Sequence, residues 1–128
     1  MSKSKYTVKD LWNERYGKEE KVYDYAGRLM LKSACGNKNS QCEPTIDHIR
    51  PLSDGGKDVK QNIILCNWET NAEKADAFPH WKANGKRFHA RRNRGNNKQT
   101  YYKIVEEKEK RKDGLSLVLP LEMLLKGN

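Results

Sequence analysis

The sequence predicts an α+β domain, and three observations carry that prediction. A strand, a long loop, a second strand and a helix follow one another between Thr45 and Phe78. A short amphipathic helix precedes them, and a basic segment with strand-like stretches follows. At 128 residues the chain has room for one core and little for a second.

Val8, Leu11 and Trp12 recur at helical spacing up to Tyr16, and Gly17 stops the run, so residues 8–16 read as the first helix. Residues 18–21 read as charged linker, and Tyr25-Ala-Gly-Arg-Leu-Met-Leu-Lys as a strand interrupted at Gly27. Turn formers occupy residues 37–40. The stretch Thr45-Ile-Asp-His-Ile is extended and closes at Arg50-Pro51, because a residue before proline is pushed out of the α region. Ser53-Asp-Gly-Gly-Lys-Asp58 is a surface loop whose two glycines permit positive φ. Asn62-Ile-Ile-Leu-Cys66 is β-branched and apolar, as a buried strand requires. Residues 67–78 predict a helix of about three turns with Trp68, Ala72, Ala75 and Ala77 on its apolar face and Pro79 as its stop.

Beyond this unit the composition shifts. Residues 81–105 hold eight Lys or Arg and no Asp or Glu, interleaved with Trp81, Phe88, Tyr101 and Tyr102. Residues 86–90 and 100–105 predict two strands around a polar turn at 93–97. A charged spacer at 108–113 leads to an apolar tail at 115–125, which either covers a core edge or makes a homodimer contact.

Lys and Arg total 26 against 17 Asp and Glu, a formal charge of +9 that points to a polyanionic partner, nucleic acid first. No apolar run approaches a membrane span and the N-terminus lacks an apolar signal region, so no membrane partner is expected and the chain reads as cytoplasmic. Three cysteines, Cys35, Cys42 and Cys66, are an odd set that argues against a disulfide framework.

Asp47, His48, Asn62, Asn71 and Lys74 gather around the strand-loop-strand-helix unit. Taken singly, each has an ordinary structural reading. Together they form a parts list: carboxylate and amide oxygens suit Mg²⁺, which leaves positions for water and phosphate, and a neutral imidazole beside them can take a proton from water. A helix antiparallel to the second strand can bring Asn71 towards Asp47. Asp47 and His48 point to opposite sides of an extended chain unless it bends there.

Asp47-His48-Ile49-x-Pro51-Leu52-Ser53-x-Gly55-Gly56, then Asn62-x-x-Leu65, then Asn71-x-x-Lys74, resembles the HNH nuclease motif of the ββα-metal fold. It is similar to the asparagine-ended variant found in small phage and bacterial HNH proteins and in RNA-guided CRISPR nucleases; Asp24-x-x-Gly27-Arg28 ahead of it looks like their leading strand. The resemblance covers residues 45–76 and implies a single nuclease domain over 1–128, with a ββα core, an N-terminal helix and strand, and a basic extension at 81–112. It implies that His48 is the general base, that Asp47 and Asn71 hold Mg²⁺ or Mn²⁺, and that Asn62 ties down the loop and orients the histidine. Lys74 would lie near the phosphate or cap the site electrostatically. Arg50, Arg87, Arg91, Arg92, Arg94 and Lys98 make a phosphate track along DNA, against the alternative of a solvated basic face. His80 and His89 read as surface or phosphate-contacting residues.

Family members with a structural zinc carry two CxxC pairs. Here Lys32 and Glu69 stand where two of those cysteines would be, so no structural zinc is expected and buried unpaired thiols are the reading. The implied activity is hydrolysis of DNA phosphodiester bonds. A non-catalytic DNA-binding module and an RNA-directed or toxin nuclease are the rivals.

Overall fold

The computed structural model describes residues 4–95 and 100–108. Lys98, most of the charged spacer and the apolar tail lie outside the described residues. The first helix, α1, spans Val8–Tyr16. Thr7 caps it by accepting from the Asp10 backbone N–H, and Gly17 ends it at a φ of 59°.

The next segment corrects the sequence expectation. The supposed linker joins a strand, β1 (Lys21–Tyr23), which pairs antiparallel with β2 (Leu29–Leu31), and Tyr25-Ala-Gly is the turn between them. Asp24 makes that turn. Its Oδ1 accepts from the backbone N–H groups of Ala26 and Arg28, both at 2.9 Å. Its Oδ2 accepts from the Asn67 N–H at 2.9 Å, which ties the hairpin to the end of a distant strand.

β3 (Pro44–His48) and β4 (Ile63–Asn67) form the central antiparallel pair, with Asp47 opposite Ile64 and His48 opposite Ile63. Ile46, Ile63 and Leu65 pack with Leu11, Trp12 and Met30 into one core. Each of these apolar side chains contributes about 1.5–3 kcal/mol by leaving water.

A second helix, α2 (Trp68–Lys74), follows β4 directly, capped by the Asn67 side chain. It is two turns long rather than three, because Ala75 takes a φ of 50° that no helix continues through. Its buried residues are Thr70 and Lys74, while Trp68 and Ala72 are exposed, so the expected apolar face is inverted. The reason lies in what it covers. α2 packs on β3, β4 and a third sheet, and turns polar groups onto the strand carrying Asp47 and His48.

That third sheet contains β5 (His80–Ala83), β6 (Lys86–Arg92) and β7 (Tyr102–Glu107) in order along the sheet. Trp81, Ala83 and Phe88 face inward against Ala26 as a second, smaller core. The sequence reading has no strand at β5. Asn84-Gly85, with φ values of 51° and 73°, is the tight hairpin turn that signals it.

The loop from Leu52 to Asn62 departs from expectation at one glycine. Gly55 has a φ of 85°, but Gly56 is not in the left-handed region; it is needed for space. A Cβ there would lie 1.8 Å from the Arg50 carbonyl oxygen and 2.8 Å from that of Pro51. Gly56→Ala is expected to cost about 3 kcal/mol in urea unfolding, since backbone must move. Gly55→Ala should cost about 1 kcal/mol, its near neighbour being the movable Arg50 side chain. Equal losses would contradict this distinction.

Candidate nuclease site

β3 ends at His48 and the chain bends at Ile49 and Arg50. With that bend, Asp47 and His48 line one open cleft of about 870 Å³, together with Asn71 from α2. Leu52 and Ser53 wall it on the loop side, and Trp68 and Asp76 on the helix side.

Asp47 is 6 % exposed, and its Oδ2 is buried without a hydrogen bond. The Lys74 ammonium lies 3.5 Å away, close enough for an ion pair but not a hydrogen bond. Burial pushes the Asp47 carboxyl up to about 6, although Lys74 and His48 draw it the other way; nearby Asp76 adds to the rise. An ionised Asp47 is therefore only partly compensated by Lys74, and a cation in the cleft would supply the rest.

Asn71 presents the second oxygen. Its Nδ2 donates to Thr45 Oγ1 at 2.9 Å and to the Ile46 carbonyl at 3.0 Å. A carbonyl only accepts, so the amide's orientation is settled and Oδ1 is the atom left for a cation. The donor set of one carboxylate and one amide oxygen fits a hard ion such as Mg²⁺ or Mn²⁺.

His48 is held by a residue that the sequence reading leaves in a surface loop. Its Nε2 lies 2.9 Å from Asp58 Oδ1. Asp58 in turn accepts from the Lys5 backbone N–H at 2.8 Å. Partial burial works to raise the Asp58 carboxyl, but hydrogen bonds from His48, Lys5 and Ser4 outweigh it and hold it down at about 2. An ionised Asp58 only accepts, so Nε2 carries the proton and Nδ1 carries the lone pair. Nothing in SDGGKD distinguishes Asp58 from Asp54, which pairs instead with Arg50 at 3.5 Å.

Asn62 does not line the cleft. Its Oδ1 accepts from the Arg50 N–H at 3.0 Å, and its Nδ2 donates to the carbonyls of Arg50 and Lys57 at 3.0 and 2.9 Å. These bonds close the loop on itself and hold the Arg50 end just past His48.

Lys74 is 1 % exposed. Its ammonium is 3.3 Å from the His48 carbonyl and 5.0 Å from the centroid of the Trp81 ring. Buried there, the ammonium is not accessible to a phosphate, in contrast to the phosphate contact expected for Lys74 from the sequence. It lies beneath the site as the counter-charge of Asp47.

Of the expected phosphate track, Arg87 and Arg91 alternate with buried Phe88 on the exposed face of β6, and Arg94 is exposed beyond it. Arg50 and Arg92 converge elsewhere, with Lys57, Tyr101 and Tyr102, on a smaller pocket of about 340 Å³ beside the loop. The track is thus split over two surfaces. Asp76 escapes the sequence because the helix ends before it, and Trp68 because an exposed tryptophan at the helix start reads as part of an inward apolar face.

The family model for HNH endonuclease matches residues 33–76. That segment is similar to an HNH endonuclease domain. The match begins upstream of β3 and ends just after α2, so it encloses every residue of the Asp47, His48, Asn62 and Asn71 set. HNH domains belong to nucleases that use divalent metal ions, and DNA is their substrate. No curated protein and no solved structure matches the chain. Within the HNH segment Cys66 is buried, and burial pushes its thiol well up; Cys35 and Cys42 are half-buried. No described helix is long and apolar enough to cross a membrane.

Proposed function

We propose that this protein is a divalent-metal-dependent endonuclease that hydrolyses DNA phosphodiester bonds with His48 as general base. The carrying observation is the pairing of a buried carboxylate oxygen that lacks a hydrogen bond with an imidazole whose tautomer is set from behind. Asp47 and Asn71 would hold the ion. When bound, it would polarise the phosphate and stabilise charge on the leaving 3′ oxygen.

The chain's own residues do the rest. His48 Nδ1 takes a proton from a water directed at phosphorus, and Asp58 steadies the imidazolium that results. Asn62 keeps the loop closed, so His48 and Asp58 stay in register. Lys74 limits the repulsion between Asp47 and the incoming phosphate without reaching the substrate. Arg50, Lys57 and Arg92 supply charge beside the loop, with Tyr101 and Tyr102 as stacking surfaces. Arg87, Arg91 and Arg94 add contacts that weaken with salt and carry no sequence preference.

The test is incubation of the purified chain with supercoiled DNA and with structured RNA, each in Mg²⁺, Mn²⁺ or EDTA. Nicked or linear DNA with Mg²⁺ or Mn²⁺ and none with EDTA is expected, and Asn71→Ala should need more metal for the same rate. Cleavage of RNA alone would reassign the substrate. Binding without cleavage of either polymer would leave a DNA-binding module.

A further inference from the structure

His80, His89 and Glu107 come together on the C-terminal sheet, one from each strand. His80 pairs directly with His89 across β5 and β6, and His89 pairs with Val105, two residues before Glu107 on β7. Side chains alternate along a strand, so this register sets all three on the same face. That face is the exposed one, opposite Trp81 and Phe88. The two Nδ1 atoms lie 2.9 and 3.0 Å from one oxygen, Glu107 Oε2, and the three ligand atoms fall within 4.8 Å of one another.

We propose that His80, His89 and Glu107 are a second metal site, selective for a borderline transition ion such as Zn²⁺, that pins β5, β6 and β7 together. Two imidazoles and one carboxylate are a donor set for zinc, with the fourth position open to water. Lys82 and Arg87 project from the same face, and their charge opposes a hard ion held by electrostatics alone. Imidazole donors favour Zn²⁺, Cu²⁺ or Ni²⁺ over Mg²⁺, whereas the oxygen ligands of the nuclease cleft favour the reverse. None of the three residues lines that cleft. On binding, each neutral imidazole carries its proton on Nε2 and gives its Nδ1 lone pair to the ion, and the Glu107 carboxylate completes the set. Without an ion, Glu107 accepts hydrogen bonds from the two rings.

The experiment is equilibrium dialysis of the full chain against micromolar Zn²⁺ with millimolar Mg²⁺ present to occupy the oxygen site, together with thermal melting. The wild type is expected to retain one Zn²⁺ per chain and to melt higher with Zn²⁺ than with Mg²⁺ alone. His89→Ala and Glu107→Gln should each weaken Zn²⁺ binding at least about tenfold and remove the zinc-dependent rise in melting temperature. Wild-type protein that takes up no Zn²⁺ would overturn the proposal, leaving a hydrogen-bonded clip. Undiminished uptake by His80→Ala/His89→Ala would also overturn it, assigning the ion to other groups such as the thiols.

Discussion

Replacing His48 by alanine is expected to lower metal-dependent DNA cleavage by roughly 10²- to 10⁴-fold, the usual contribution of a positioned general base. DNA affinity should stay near the wild-type value, because the basic groups lie on the loop pocket and the sheet, apart from the imidazole. Asp58→Asn separates the two parts of this claim. It keeps the shape of the side chain but offers a donor as well as an acceptor to Nε2, so the imidazole tautomer is no longer dictated. A loss of about 10- to 100-fold in kcat, with DNA binding unchanged, is expected. Wild-type cleavage rates for Asp58→Asn would reduce its contact with His48 to a structural one.

Lys74→Met should be among the most destabilising changes in the domain. It leaves the Asp47 carboxylate, 6 % exposed, facing no counter-charge. Removing one partner of a buried pair costs about 3–5 kcal/mol, whereas removing both charges together costs far less. Urea unfolding at neutral pH should therefore show a loss of about 3 kcal/mol for Lys74→Met, part of it recovered in Asp47→Asn/Lys74→Met. Strict additivity of the two single changes would mean that Lys74 acts through packing on Trp81 alone.

Much of the fold and of the candidate site is legible in sequence because it is local. Val8, Leu11 and Trp12 announce α1 by spacing, and Ile63 to Cys66 announce β4 by branching and apolarity. The HNH-like spacing singles out Asp47, His48, Asn62 and Asn71 in the sequence itself. What escapes the sequence depends on contacts across the chain. α2 reads as longer and apolar-faced because alanine has high helix propensity; its real ending and its polar inward face come from Ala75 and from what the helix covers. Asp24 reads as part of a leading strand in sequence, but in space it makes the hairpin turn and ties it to Asn67. Asp58 differs from any loop aspartate only in being 2.9 Å from His48. β5 was legible in principle, since Asn84-Gly85 is a hairpin signal of its own.

In the proposed mechanism, the cleft around Asp47, His48 and Asn71 cuts DNA with a bound divalent ion. Nicking of supercoiled plasmid by the wild type, measured beside His48→Ala prepared identically, tests it most directly. Nicking by the wild type with Mg²⁺ or Mn²⁺, its loss in EDTA and its near absence in His48→Ala are the predicted results. Equal nicking by the two proteins, or nicking that persists in EDTA, would rule out metal-dependent cleavage through His48.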